Sequence, residues 1–379
     1  MEKQLFIDKN KCCGCGVCAN ICKLGAIQMN EDKDGFLYPS IDAEKCVNCG
    51  MCGKHCPIVA HEAIEIQQHH VACYGGYLKD SEELRQSASG GAATALAKAI
   101  LNEGGVVFGA EYCEGYRKAK TVKIDSIAEL TRIKDSKYMQ SDKGTIYEEV
   151  KDELEHGNSV LFTGTPCEIG AVKTFLGKDY DNLYTCELIC HGPTTYKVAE
   201  KYINALEKKH KSKLSKKSEK SKELGRKVPH IKLEFENGKT EEQELYKSDY
   251  GVAFSVMLRE SCHQCSYKGD GKVADITVGD FWGYDENDSH WNSDGISAII
   301  VHTERGKHLL QMLSDMELFT TSYDAILKNN LNLERNEPYN RAAGLFKKGV
   351  QSIGLSKTVF LYNKYQKVIG YIKKATRGR

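Results

Sequence analysis

Eight cysteines fall within the first 56 residues, in two runs of one spacing. Cys12, Cys15, Cys18 and Cys22 follow C-x2-C-x2-C-x3-C. Cys46, Cys49, Cys52 and Cys56 repeat it, and Pro57 completes the second copy where Lys23 stands in the first. Three thiolates on one tight loop can cap three irons of a cubane, and a remote thiolate closes the fourth. In tandem runs of this kind the fourth cysteine of each run ligates the other cluster. The spacing therefore assigns Cys12, Cys15, Cys18 and Cys56 to one 4Fe-4S cluster, and Cys22, Cys46, Cys49 and Cys52 to a second. Structural zinc sites would use separated C-x2-C pairs rather than triplets. A disulfide framework would need a secreted chain, and no signal-peptide pattern is expected at this start. Cys13, between ligands, reads as a spectator.

A second group of thiols is scattered. Cys167 follows Thr163, Gly164, Thr165 and Pro166 at a helix start, where a thiolate is favoured. Cys190 ends a strand-like run, and Cys262 and Cys265 form one C-x2-C pair. Four thiolates on three segments suit a third 4Fe-4S cluster or one zinc ion, or are inert; spacing leaves all three open. Cys73, Cys113 and Cys186 read as inert buried thiols. Ser87, Ser89, Gly90 and Gly91 precede an apolar periodic helix. Small residues and free N–H groups at a helix start suit a phosphate, and the same residues also make an ordinary N-cap.

These residues need elements to position them. Residues 1–66 read as a small α+β ferredoxin-like module of short strands (QLFIDKNKC the first) and turns, with Asp34-Gly35 in a tight hairpin turn. Residues 67–73 read as a connector into a larger α/β domain, 67–330, in which strand-like and helix-like segments alternate. Such a mixed sheet binds ligands beyond the carboxyl ends of its strands. Residues 207–227 are lysine-rich and lack apolar periodicity, which predicts an exposed loop or frayed helix extension. Residues 331–379 read as a basic helical tail. In it Leu355, Val359, Tyr362, Val368, Ile369 and Ile372 recur at helical spacing between lysines. Three placements fit: docked on the α/β domain, against a partner subunit, or on an anionic membrane surface.

A net charge of +1 argues against nucleic acid as a partner. Clustered cysteines point to a reducing, cytoplasmic setting. No stretch approaches the roughly 20 apolar residues of a membrane span.

Taken together, six motifs resemble the beta-subunit family of coenzyme F420 hydrogenases and dehydrogenases. They are Arg85-x-Ser-x-Ser-Gly-Gly91, Ser136-Lys-Tyr-x-Gln-Ser141, Phe162-Thr-Gly-Thr-Pro-Cys167, Cys190-His-Gly-Pro193, Cys262-x2-Cys265 and Ala274-Asp-Ile-x-Val-Gly-Asp280. The resemblance implies an iron–sulfur flavoprotein, with FAD in the α/β domain near Ser87, Ser89, Gly90, Gly91, Thr163, Gly164 and Thr165. It implies a 4Fe-4S cluster on Cys167, Cys190, Cys262 and Cys265. It raises Lys137, His191 and Asp280 as catalytic candidates, with Tyr138 and Trp282 beside them. The implied function is electron transfer between ferredoxin-type clusters and FAD, driving two-electron chemistry on an organic substrate. A ferredoxin-like protein would be the electron partner. The forms FTGTPC, CHGP and GDFWG resemble a bacterial branch associated with surface-polysaccharide synthesis, which implies a small organic or lipid-linked sugar substrate. The alternatives are a non-catalytic subunit of a larger redox complex and a true F420 oxidoreductase.

Overall fold

The computed structural model describes residues 7–61, 72–225 and 227–377. In the N-terminal module each cysteine run closes over one helical turn, α1 (Val17–Asn20) and α2 (Met51–Lys54). Between them β1 (Ile27–Glu31) and β2 (Leu37–Ile41) pair antiparallel, Ile27 opposite Ile41. Their turn is held by the Asp32 carboxylate, which accepts from the N–H groups of Asp34 and Phe36, while Gly35 takes a φ of 90°. The strand expected in QLFIDKNKC falls partly on residues 1–6, outside the described residues. Residues 7–11 form turns instead, because the Asp8 carbonyl accepts from Lys11 and Cys12 and its carboxylate from Asn10. Most of the 67–73 connector also lies outside the described residues.

The larger unit has β3 (Ala72–Leu78), α3 (Ser81–Gln86), α4 (Ala92–Asn102), β4 (Val106–Cys113), β5 (Lys118–Ile124), α5 (Leu130–Ile133), β6 (Ser141–Asp142), α6 (Ile146–Glu155), β7 (Val160–Gly164), α7 (Pro166–Leu176), β8 (Leu183–Leu188) and α8 (Tyr196–His210). A lobe follows with β9 (Leu214–Ser221), β10 (His230–Phe235), β11 (Thr240–Glu244) and α9 (Asp249–Val256). The chain then adds β12 (Ile276–Asp280), β13 (Ser297–Val301), α10 (Glu304–Gln311), β14 (Met316–Thr320), α11 (Tyr323–Leu327), α12 (Ala343–Ser352) and α13 (Leu355–Arg377).

Nine strands form one mixed sheet in the order β14-β3-β13-β12-β8-β7-β4-β5-β6. Its centre, β12-β8-β7-β4, is parallel. The period-two alternation of strands explains how it is covered. Val160 and Phe162 pack on α6 and α7, while Leu161 packs with α4 and α10 on the other face. Strands buried on both faces read as unbroken apolar runs, as VLF does. Between β7 and β8, α7 begins sharply because Thr165 and Glu168 form a reciprocal capping box and Pro166 occupies the first turn.

The lysine-rich stretch 207–227 departs from its expected form. It finishes α8 and then becomes β9, the edge of a three-stranded antiparallel sheet. The inward residues of that strand include Lys217 and Glu219, whose side chains are fully buried and paired at 2.6 Å. A strand whose inward positions carry charge has no apolar alternation to read. This lobe shares a core with α8, α9, α12 and the start of α13, through Ala343, Phe346, Val350, Leu355 and Val359.

The module is clamped to the larger unit through its own backbone. Gln140 donates to the carbonyls of Cys13 and Gly14, at 3.0 and 2.6 Å. Tyr147 donates to Cys15 at 2.7 Å, and Tyr267 to Pro57 at 2.9 Å. Arg259, 1% exposed, donates to the Leu37 carbonyl at 3.0 Å and lies over the rings of Phe36 and Tyr38.

Candidate redox site

The carboxyl ends of the parallel strands open into a cavity of about 1240 Å³. Each strand delivers one element of it. Cys167 follows β7, Cys190 and His191 follow β8, and Asp280 ends β12; all line the cavity. Cys262 and Cys265 reach the same space from the turn after α9. Gly192, at a φ of 128°, lets the Cys190 loop approach closely: a Cβ there would lie 3.2 Å from the Cys262 sulfur. Lys268 secures the loop by donating to the Cys190 carbonyl.

The four thiols thus converge from three segments and influence one another's charge. Burial pushes the thiols of Cys190, Cys262 and Cys265 up, so they are poor thiolates until a metal compensates. Among the described residues no group of three or more His, Cys, Asp or Glu is arranged to hold a single metal ion. Cys13 is no bystander. It lines the cavity, and its thiol is electrostatically coupled to those of both Cys15 and Cys167. This one side chain bridges the first cysteine loop and the second set.

In the N-terminal module the thiols of both runs lie near one another. Cys12, Cys18 and Cys56 interact electrostatically with one another. Cys22, Cys46 and Cys52 gather around Cys18, Ile27 and Ile41.

The expected flavin residues divide. Ser89, Thr163, Gly164 and Thr165 line the cavity, whereas Ser87, Gly90 and Gly91 do not. Gly90 serves packing: a Cβ there would sit 2.2 Å from the Gly76 carbonyl oxygen. Its N–H donates to Ser297 Oγ at 2.9 Å, and Ser89 Oγ donates to the Ile296 and Gly279 carbonyls. This loop is therefore locked onto β12 and β13 rather than offering all its N–H groups outward.

Lys137, Tyr138, His191, Asp280 and Trp282 all line the cavity. Burial pulls the Lys137 pKa down to about 8, against the upward pull of Asp135, Glu219 and Glu111. Its ammonium rests on the carbonyls of Lys134 and Asp135. His191 packs against Phe254 with Nε2 3.6 Å from Glu337, and burial pushes its pKa down. Asp280 pairs with Lys220 of β9. Lys222, just past the end of that strand, donates to the Ser89 carbonyl at 2.8 Å. Sequence reasoning missed these two lysines, because their strand was hidden in the lysine-rich run.

Cys73 and Cys186 are buried in the cores and Cys113 is partly exposed at the end of β4; none lines the cavity.

Fold and donor set define an iron–sulfur redox protein with a small cysteine-rich module docked on a mixed α/β domain. Residues 11–60 match the model of a 4Fe-4S dicluster domain. Residues 157–324 match the model of the C-terminal part of the coenzyme F420 hydrogenase/dehydrogenase beta subunit. A solved structure, a xenon derivative of the F420-reducing nickel–iron hydrogenase complex from Methanosarcina barkeri, is similar at 17% identity. The similarity covers 78% of this chain and 92% of that chain, with a TM-score of 0.46. No curated protein matches. No helix among the described residues is long and apolar enough to cross a membrane.

Proposed function

We propose that this chain is an iron–sulfur flavoprotein oxidoreductase with three 4Fe-4S clusters and FAD. The observation that carries the reading is the convergence of Cys167, Cys190, Cys262 and Cys265 on the large cavity, with Cys13 touching Cys167. Electrons would pass from the dicluster module, by way of the four converging thiolates, to the cavity. Bound FAD would supply the exchange between one-electron and two-electron chemistry. Ser89, Thr163, Gly164 and Thr165 would hold it, and Lys137 brings positive charge suited to a pyrophosphate. Lys137, near neutrality at about 8, can hold or release a proton beside an organic substrate. His191 and Asp280 are the other residues placed to orient one. A purely electron-carrying subunit would leave a cavity of this size without a role.

The electron partner is a ferredoxin-type protein. Cys49 is exposed, and Leu24, Val47 and Met51 in the same module are 52, 68 and 38% exposed, an apolar rim of the kind transient redox encounters use. The chain would work in the cytoplasm on a small organic or lipid-linked sugar substrate in surface-polysaccharide synthesis.

Anaerobic purification followed by iron, sulfide and flavin analysis tests the reading. It expects about 12 irons per chain and one releasable FAD. The Cys262→Ser, Cys265→Ser double variant should keep about eight irons and reduce its flavin slowly. Unchanged iron with stoichiometric zinc would sink the third cluster.

A further inference from the structure

The last helix, α13, begins as part of the core. Leu355 and Val359 are 4% and 3% exposed, and Tyr362 packs edge-on against Phe346. A different face of the same helix is bare. Leu361, Tyr365 and Val368 recur at i, i+4 and i+7, which places them on one stripe, and they are 54, 51 and 56% exposed. Ile372 continues that spacing in the sequence. Single exposed apolar residues are ordinary. Here, however, six of the chain's large exposed apolar side chains fall between residues 345 and 368.

Charge decides what such a stripe fits. Exposed Lys357, Lys364 and Lys367 flank it, and Lys364 Nζ lies 4.5 Å from the ring centroid of Phe360. No Asp or Glu occurs between Ser356 and Arg379, where seven Lys and Arg stand. Pairing with the same helix of a second copy would set like charges side by side, which is unfavourable. An anionic lipid surface satisfies both features. Its acyl boundary takes the apolar stripe, and its phosphates take the lysines beside it, whose long stems can snorkel to the headgroups.

We propose that α13 lies in the plane of an anionic membrane surface, with Leu361, Tyr365 and Val368 immersed and Lys357, Lys364 and Lys367 on headgroup phosphates. The first two turns stay docked, so the redox domain is held at the bilayer. This does not rest on the cluster or flavin assignment.

Flotation of the full-length, cluster-loaded protein on vesicles tests it. Vesicles of phosphatidylcholine with phosphatidylglycerol should carry the protein at low salt, and phosphatidylcholine alone should not. High salt should release it. A Lys357→Gln, Lys364→Gln, Lys367→Gln variant should partition on the order of 100-fold less. A Leu361→Ser, Tyr365→Ser, Val368→Ser variant should not float, while keeping wild-type cluster absorbance and helicity because those side chains touch no core. Wild-type protein that stays below the vesicles overturns the proposal. So does a serine variant that floats normally. A wild-type dimer that the serine variant dissolves, without vesicle binding, would assign the stripe to a second copy and overturn it too.

Discussion

The two cysteine runs are close copies in sequence, yet the two ligand sets that spacing assigns to them occupy opposite surroundings. Cys12, Cys15, Cys18 and Cys56 are each 8% exposed. Cys49 is exposed, and Cys22, Cys46 and Cys52 are only half-buried. The module alone is too small to create that contrast. The larger unit does so by covering one side, through Gln140, Tyr147, Tyr267 and Arg259. The buried set adjoins Cys13 and, through it, Cys167. One set therefore faces solvent and the other faces the cavity, so a pseudo-symmetric motif acquires a direction.

The sharpest break of this comparison is a pair of single variants. Cys56→Ala should lose the cluster of the buried set, about four irons, and loosen the docked module, because the inner loop loses its anchor. Cys49→Ser should lose only the outer cluster and leave docking intact. Iron content with low-temperature EPR, followed by limited proteolysis near residue 61, separates them. Equal protease sensitivity in the two variants would erase this distinction.

Next in size is Arg259→Met. The guanidinium is buried and serves carbonyls of the inner set's surroundings, with none of its contacts on the outer set. Hydrogen bonds to charged groups contribute about 1.5–3 kcal/mol each, so a loss near 3 kcal/mol is expected. Urea unfolding at matched iron content reads it. An unchanged midpoint would mean that docking does not depend on this residue.

The smallest effect concerns the cavity end of the path. Lys137 has a folded pKa of about 8, below its ordinary 10.5. Its positive charge is present below about 8 and fades as pH rises through that value. The FAD affinity of flavin-stripped protein should therefore weaken above pH 8, by up to roughly tenfold per unit, and Lys137→Met should flatten the profile. For stability the sign is opposite. Between about 8 and 10.5 the unfolded chain binds the extra proton, so folding becomes more favourable as pH rises through that window. A wild-type affinity flat from pH 7 to about 9.5 would remove Lys137 from the anion site.

Much of this was legible from the chain. The two cysteine triplets are legible from spacing, since cysteines three positions apart fall on one tight loop. β3, β4, β7, β8, β12 and β13 follow from their apolar runs, and α4, α6 and α7 from their periodicity and caps. Other features had no local signature. β9 hid because its inward residues, Lys217 and Glu219, are charged and satisfy each other only once folded. Lys220 meets Asp280 across the cavity for the same reason. Gly90 looked like a place for a phosphate, and its real constraint is the Gly76 backbone 2.2 Å from where a Cβ would stand.

What the sequence by itself determined is the chemistry that neighbours in the chain can do: iron capping by cysteine triplets, strand and helix propensity, and an acid-free amphipathic C-terminal segment. Only the tertiary structure decided which thiols meet. Cys13 is held beside Cys167, and Cys190 beside Cys262, by the sheet order that brings β7 next to β8 and by the polar clamp on the module. Burial is the physical reason. It arises from contacts between segments far apart in the chain, and it alone makes the two cysteine runs unequal.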